Sequence, residues 1–139
     1  MSDSVNVPVE ALQAYGVEAL VTTGMTDSDA CIVADKLVLA DSWGTFTHGN
    51  KLLGGYLKRL EAGGTDPLGQ AQVASEGPAW TIVDGGNAMG QIGCDFAMRK
   101  AIELADTAGV AYVGVRNTNH FGAAGVYPAM AAEANMIGI

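Results

Sequence analysis

Basic residues are scarce in this sequence, and their scarcity excludes classes of function. The 139 residues include 7 Lys and Arg against 15 Asp and Glu, a formal net charge of −8. A nucleic-acid surface needs a basic stripe and an anionic membrane needs clustered cations, so neither partner is expected. No apolar run has membrane-spanning length, and the first ten residues lack a signal peptide's basic and apolar regions. We therefore expect a cytoplasmic protein.

Cysteine and histidine are also rare. Cys31 and Cys94 show no C-x-x-C or other metal-binding spacing, and both fall in predicted helices among apolar neighbours. We expect two buried free thiols, as in a reducing compartment. The two histidines, His48 and His120, do not make a metal site by themselves, so no metal is expected.

Three helical patterns occupy the first part of the chain. The first covers residues 8–23, with Val9 and Leu20 among its apolar positions; the second begins after the N-cap Thr26 and ends near Gly44. The third runs from about residue 50 to 62, before the breaker "GGTDPLG". We predict an N-terminal helical segment over 1–66, whose third helix shares one apolar face among Leu52, Leu53, Tyr56, Leu57 and Leu60.

After Pro67 the pattern changes to short strands and helices. "AQVAS" and "AWTIVDG" predict two strands around the turn "EGPA", and a helix follows over 92–108. A strand over 110–115, a helix over 122–134 and the start of a strand at "MIGI" complete the order. This alternation predicts a parallel α/β unit over 67–139. Since a sheet ending on four residues would need more strands, we expect the front portion of a longer protein. The buried side of the long helix is predicted to be Phe96, Ala97, Ala101, Ile102 and Leu104.

Two glycine-rich turns join strands to helices. "VDGGNAMGQ" suggests a dinucleotide loop but has neither the G-x-G-x-x-G register nor the P-loop lysine. A tight turn with positive φ at glycines 85, 86 and 90 is the favoured interpretation. "NHFGAAG" also opens a helix, where free backbone N–H groups attract anions. Gly122 and Ala123 leave room there for a flat ring or a phosphate.

The second turn makes His120 a candidate for function, because ligands of open α/β sheets gather at the carboxyl ends of strands. A lone loop histidine is more often an ordinary polar residue, and both interpretations stay open for His48 and His120. Asn117 and Asn119 could hold an imidazole tautomer or bind a substrate carbonyl. Arg116 could clamp a carboxylate or only cap strand carbonyls.

Three stretches resemble the type-2 malate/L-lactate dehydrogenase family, which includes ureidoglycolate and sulfolactate dehydrogenases and diketogulonate reductases. They are "ADSWGTFTHGNKLLGGYLKRLEAGG", "TIVDGGNAMGQ" and, most specifically, "VGVRNTNHFGAAGVY". The resemblance covers about residues 7–139. It implies the N-terminal portion of a longer enzyme: a helical segment beside the first part of an α/β cofactor domain that is not a standard Rossmann fold.

The resemblance also implies chemistry. NAD or NADP binds, and hydride passes between nicotinamide C4 and the carbon alpha to a carboxylate of a small 2-hydroxy or 2-oxo acid. His120 is expected to carry the proton, with His48 polarising or orienting the substrate. Cofactor binding is expected at His120, Phe121, Gly122 and Ala123. A homodimer is implied for the full-length parent.

The sequence departs from the family at the expected carboxylate ligand. Many members have an arginine four residues after the first histidine, where this chain has Leu52 preceded by Lys51. Substrate binding is therefore assigned to Lys51, Arg116 and Asn119, and a lysine lacks the bidentate fork of an arginine.

The alternative to an active dehydrogenase is a non-catalytic fragment that folds or acts only with a partner chain. A histidine-dependent hydrolase is disfavoured, because no G-x-S-x-G or other nucleophile accompanies either histidine.

Overall fold

Residues 6–139 are described by a computed structural model, in which helices precede a small sheet. Residues 1–5, part of the stretch that lacks signal-peptide features, lie outside the described residues. Three helices come first: α1 (Val9–Val21), α2 (Asp27–Ser42) and α3 (Leu53–Glu61). They are followed by β1 (Gln72–Gly77), β2 (Trp80–Asp84), α4 (Gly90–Ala108), β3 (Tyr112–Arg116) and α5 (Val126–Glu133). The α/β class with a helical N-terminal segment is confirmed.

The first two helices form where the sequence predicts them. Thr26 caps α2, its side chain accepting a hydrogen bond from the Asp29 backbone N–H at 3.2 Å. Leu20 of α1 and Leu37 of α2 are fully buried in one core that also receives α3 and the start of α4. Val9, another apolar position of the first helical pattern, is the first residue of α1 and is 53% exposed.

The third helix starts later than predicted. Residues 46–48 and 50–52 form two single 3₁₀ turns, and α3 begins only at Leu53. The cause is Asp41, whose carboxylate accepts hydrogen bonds from the backbone N–H and the side-chain amide of Asn50, both at 2.9 Å. This contact ties the chain back to α2 and places His48 in the tight segment between α2 and α3.

The sheet has the order β1-β2-β3. β1 and β2 form an antiparallel hairpin with an irregularity between Val73 and Ser75, and β2 and β3 are parallel. α4 makes the crossover between the parallel strands, as predicted, and ends at Gly109, which has φ 80°. The carboxyl ends of β2 and β3 therefore lie side by side and direct both glycine-rich turns to one edge of the sheet.

The strand predicted at "MIGI" does not form. Asn135 adopts a left-handed φ of 59°, and the Met136 backbone N–H donates to the Ala131 carbonyl at 2.8 Å. Met136 is therefore used in closing the end of α5. α5 itself begins at Val126 rather than at 122, because residues 121–125 form the turn that carries the glycines.

The buried side of α4 was predicted incorrectly. Phe96 is 36% exposed, whereas Asp95 is 3% exposed. Asp95 can be buried because Lys36 of α2 lies 2.9 Å from it and Arg99 lies 2.7 Å from it. Ala97 is buried as expected, and Ala101, Ile102 and Leu104 are half-buried.

The two thiols are less buried than the sequence indicated. Cys31 is exposed on α2, and Cys94 is half-buried on α4. Both cysteines are free, as expected. Their helices were predicted correctly, but each side chain lies to one side of the face that packs into the core.

Candidate active site

The two histidines predicted from the sequence come together. His120 lies in the turn after β3, and His48 lies at the end of the first 3₁₀ turn. Their rings are 5.8 Å apart between centroids and inclined by 26°. Phe121 continues the row, with its ring 6.2 Å from that of His120 and inclined by 23°. Three flat rings are thus stacked at the carboxyl edge of the parallel strands.

The Nδ1 atom of His120 is held by two partners. The Tyr56 hydroxyl lies 2.8 Å away, and the Gly122 backbone N–H donates to Nδ1 at 3.4 Å. Since a backbone N–H can only donate, Nδ1 is the accepting nitrogen of a neutral ring. The hydrogen-bond network therefore assigns the proton to Nε2. Among the described residues Nε2 has no hydrogen-bond partner, so it is available to a ligand.

Tyr56 and Gln91 form the layer beneath His120. The side-chain amide of Gln91, which is fully buried, donates to the Tyr56 oxygen at 3.1 Å. Burial raises the pKa of Tyr56, and the Gln91 hydrogen bond opposes that shift. The phenol therefore keeps its proton at neutral pH and can donate it to His120. Sequence reasoning placed Tyr56 on an apolar helix face and missed this contact, although a buried tyrosine hydroxyl signals a partner.

His48 has a local partner of its own. Its Nδ1 lies 3.0 Å from the Thr47 hydroxyl, and the side chain is half-buried. It makes no hydrogen bond to His120 and meets it only through the ring faces. This arrangement suits a residue that borders a ligand better than one that relays a proton to His120.

A cavity of about 290 Å³ lies beside His120. Arg59 of α3 contributes its charged group, with the Nη2 atom 3.0 Å from the Asn119 oxygen and the Nε atom 3.2 Å from the Thr65 hydroxyl. Sequence reasoning did not single out Arg59. The lining residues are Tyr56, Arg59, Thr65, Met89, Thr118, Asn119 and His120.

Asn119 fastens the two glycine-rich turns together. Its amide donates to the carbonyls of Asn87 and Ala88 at 3.1 and 2.9 Å, and its oxygen accepts from Arg59. Neither Asn119 nor Asn117 hydrogen-bonds the His120 ring, so the tautomer is held by Tyr56 and Gly122 rather than by the asparagines suggested from the sequence.

The other predicted cations lie apart from this cavity. Arg116 pairs with Asp84 at 3.2 Å, at the ends of β3 and β2. Hydrogen bonds from Asn117, then from the Gly86 backbone, and the adjacent Arg116 hold the pKa of Asp84 below its ordinary value. Lys51 is exposed, and neither Lys51 nor Arg116 lines the cavity.

The glycines in these turns have different functions. Gly86 and Gly122 have φ of 59° and 80°, which side chains rarely adopt. Gly90 has no positive φ but lies against the turn of His120, where an added Cβ would come within 2.5 Å of the His120 carbonyl oxygen. The interpretation of "VDGGNAMGQ" as a tight turn agrees with this geometry, although of its three glycines only Gly86 needs positive φ.

The turn at residues 121–123 packs closely against its surroundings, and Gly122 is buried. At Gly122 a Cβ would lie 3.4 Å from the Gln91 amide, so the backbone there passes close to the layer beneath His120. Ala123 is half-buried, and Phe121 presents a 39% exposed ring anchored by the Tyr127 hydroxyl, which donates to the Phe121 carbonyl.

The rest of the described chain offers no second site with the polar side chains found around His120. A larger hollow of about 760 Å³ between α4, β3 and residues 136–139 is apolar and distant from both histidines. No three histidine, cysteine, aspartate or glutamate side chains within residues 6–139 gather as a metal site. None of the helices described is long and apolar enough to cross a membrane.

Comparison with known proteins decides the family. Residues 7–139 match the family model described as malate/L-lactate dehydrogenase. The chain belongs to this family. A malate dehydrogenase of Pyrococcus abyssi is 40% identical over 135 residues, and a ureidoglycolate dehydrogenase (NAD(+)) of Escherichia coli K12 is 35% identical over 120 residues.

The malate/L-lactate dehydrogenase fold is shared as well. The structure of malate dehydrogenase from Pyrococcus horikoshii superposes with a TM-score of 0.93 at 36% identity, covering 96% of this chain and 38% of that one. The match to the Pyrococcus abyssi relative includes 97% of this chain but only 37% of the relative's length. The match to the Escherichia coli relative includes 86% of this chain and 34% of the relative's length. The chain thus corresponds to little more than a third of these dehydrogenases.

Proposed function

We propose that this chain contributes the proton-transferring histidine of an NAD(P)-dependent dehydrogenase that interconverts small 2-hydroxy and 2-oxo acids. The observation that carries the proposal is the anchored His120 ring, with Nδ1 engaged and Nε2 free beside a cavity. The family and the dehydrogenase names of the relatives support the reaction class. The Escherichia coli relative carries NAD(+) in its name, and we propose NAD or NADP for this protein.

The proposed chemistry uses both directions of the Tyr56–His120 hydrogen bond, in which the Tyr56 hydroxyl either donates to Nδ1 or accepts from it. The bound nicotinamide would accept hydride from the carbon that bears the substrate hydroxyl, or return it to the carbonyl. During oxidation His120 Nε2 would take the hydroxyl proton, which requires the other tautomer, with the ring proton on Nδ1 instead of Nε2. In that tautomer the Tyr56 hydroxyl accepts from Nδ1–H, and the 3.4 Å hydrogen bond from the Gly122 N–H to Nδ1 is given up. During reduction the doubly protonated ring returns the Nε2 proton to the oxygen.

The remaining residues would position the reactants. We assign Phe121, Gly122 and Ala123 to the nicotinamide side, because they combine a flat ring with a close backbone. His48 is assigned to the substrate side as an orienting group. Arg116 is paired with Asp84 and Lys51 lies outside the cavity, which favours neither as the carboxylate ligand predicted from the sequence.

A non-catalytic fragment that acts only with a partner chain is the second candidate. The observation in its favour is the open edge of β3, beside exposed apolar side chains such as Val110 and Tyr112. It predicts that the chain alone binds nucleotide or substrate without turnover.

Steady-state turnover in a chain extended to the length of its relatives tests the assignment of His120. His120→Asn should lower kcat by about a hundredfold or more, because the proton transfer loses its acid/base. His48→Asn is the matched control and should act mainly on KM. Retained kcat in His120→Asn, with loss in His48→Asn, would move proton transfer to His48.

Titration of the 139-residue chain with NADH and with NADPH by calorimetry tests the cofactor proposal separately.

A further inference from the structure

The cavity beside His120 holds one charged side chain, and that charge is positive. Arg59 lines it together with neutral residues and the His120 ring, and no aspartate or glutamate is among the lining residues. The volume of about 290 Å³ lies just below the range of drug-sized ligand pockets and suits a molecule of a few carbons. The cavity therefore has the size and the sign of charge for a small anion.

The guanidinium of Arg59, an exposed residue, has two hydrogen-bond partners within the described residues. Its Nε donates to the hydroxyl of Thr65, which is fully buried, and Nη2 donates to Asn119. Asn119 is itself anchored to the carbonyls of Asn87 and Ala88. A planar fork held by rigid partners loses little side-chain entropy when an anion binds.

The charge of Arg59 is not neutralised within the described residues. Their ion pairs use Lys36, Arg99, Lys100 and Arg116, and Arg59 contacts only neutral acceptors. Lys51 and Lys58, also exposed, have no ion pair among these residues either, but Arg59 is the one of the three that lines the cavity. A guanidinium has five N–H donors, and the two contacts leave others for a ligand. Arg–carboxylate pairs with two parallel hydrogen bonds are strong and directional.

We propose that Arg59 binds the carboxylate of a small 2-oxo or 2-hydroxy acid in this cavity, with the oxygen on C2 directed toward His120. The assignment of this substrate class rests on the proposed function. Arg59 takes the role for which the sequence suggested Lys51 or Arg116.

The first test uses two probes on the unaltered 139-residue chain. NMR titration with pyruvate and with pyruvamide follows the Arg59 Nε–H and the His120 ring signals. Pyruvate should shift both, and pyruvamide, which lacks the charge, should bind about tenfold or more weakly. The absence of pyruvate binding, or equal binding of both probes, would overturn the proposal.

The second test compares three variants with the same titration. Arg59→Gln keeps an amide for Asn119 but loses the charge, and it should weaken pyruvate binding by about tenfold or more. Lys58→Gln, on the same helix and exposed, and Lys51→Gln should change it by less than about twofold. Weakening by Lys51→Gln instead would return the role to Lys51. If Arg59→Gln fails to fold by circular dichroism, the comparison of the two probes decides.

These outcomes separate this proposal from the proposed function. The titrations need neither nucleotide nor turnover. If pyruvate binds through Arg59 but the extended chain has no dehydrogenase activity, the proposed reaction is rejected and the carboxylate site stands. If the extended chain is an active dehydrogenase whose KM does not change in Arg59→Gln, the reaction stands and the carboxylate site is rejected.

Discussion

At the scale of single residues, the surroundings of the two thiols determine how readily each reacts. Cys31 is exposed, whereas Cys94 is half-buried on α4, where burial raises its thiol pKa to about 11 from an ordinary 9.0. The thiolate is the nucleophile, so exposure favours reaction at Cys31 and the raised pKa slows reaction at Cys94. In the unfolded chain the Cys94 thiol ionises near pH 9, while the folded chain keeps its proton. The contribution of Cys94 to stability is therefore complete below pH 9 and falls as pH rises toward 11.

We predict that Cys31 reacts with an aromatic disulfide reagent well before Cys94 at pH 8. The reaction of Cys94 should accelerate as the pH approaches 11 or when the chain is unfolded in urea. Absorbance of the released thiolate measures both rates, and Cys31→Ser and Cys94→Ser assign them. Equal rates at pH 8 in the folded chain would contradict the difference in burial.

The sequence predicted part of the candidate site. His48 and His120 were identified through a family resemblance, and the structure brings their rings together. Tyr56, Gln91 and Arg59 were missed as site residues, because their contacts join positions that lie up to 64 residues apart. Helical periodicity places Tyr56 on a buried face but cannot show which side chain its hydroxyl meets. That partner depends on how α3 packs beside the turn after β3.

At the scale of elements, local signals predicted helices better than their ends and faces. The Thr26 cap and the end of α4 at residue 108 depend on local signals and were found correctly. The delayed start of α3 depends on Asp41, nine residues before Asn50, and could not be identified from helix periodicity. The buried side of α4 was wrong because hydrophobicity ranks Phe96 above Asp95, while the Lys36 ion pair that permits burial of Asp95 comes from another helix.

The contact between α4 and the His120 turn leads to a prediction at Gly90. A Cβ at this position would come within 2.5 Å of the His120 carbonyl oxygen, and backbone cannot yield as a flexible side chain does. We expect Gly90→Ala to lower the free energy of unfolding by about 1–3 kcal/mol, the usual cost of overpacking. It should also perturb the contact of Tyr56 with His120. Urea unfolding measures the first effect, and the NMR signals of the His120 ring report the second.

Gly55→Ala is the matched control for this prediction. Gly55 lies within α3 with open space around its would-be Cβ. The same substitution should therefore stabilise the chain by about 0.5–1 kcal/mol, since alanine loses less backbone entropy in a helix. Destabilisation by both variants to a similar extent would show that the close approach of Gly90 does not matter.

For the whole molecule, the edge of the sheet at β3 is one place where apolar side chains are exposed. Nothing within residues 6–139 pairs with the outer side of this strand. Tyr112 is 67% exposed and Val110 is 69% exposed, and both lie beside the apolar hollow between α4 and residues 136–139. Unpaired strand edges with apolar neighbours are templates for pairing with another chain. The net charge of −8 opposes close approach of two copies and is screened by salt.

We therefore predict that the 139-residue chain self-associates through β3, and more strongly as salt is raised. Sedimentation velocity over a range of protein concentrations at low and high salt measures the association. Tyr112→Lys places a charge on the β3 edge and should weaken association, because an edge lysine resists strand pairing. Val73→Lys makes the same kind of change on β1, at the opposite edge, and should leave association unchanged. A monomer at every concentration would show that the β3 edge is protected. Equal effects of the two lysine substitutions would mean that charge alone, rather than strand pairing, controls association.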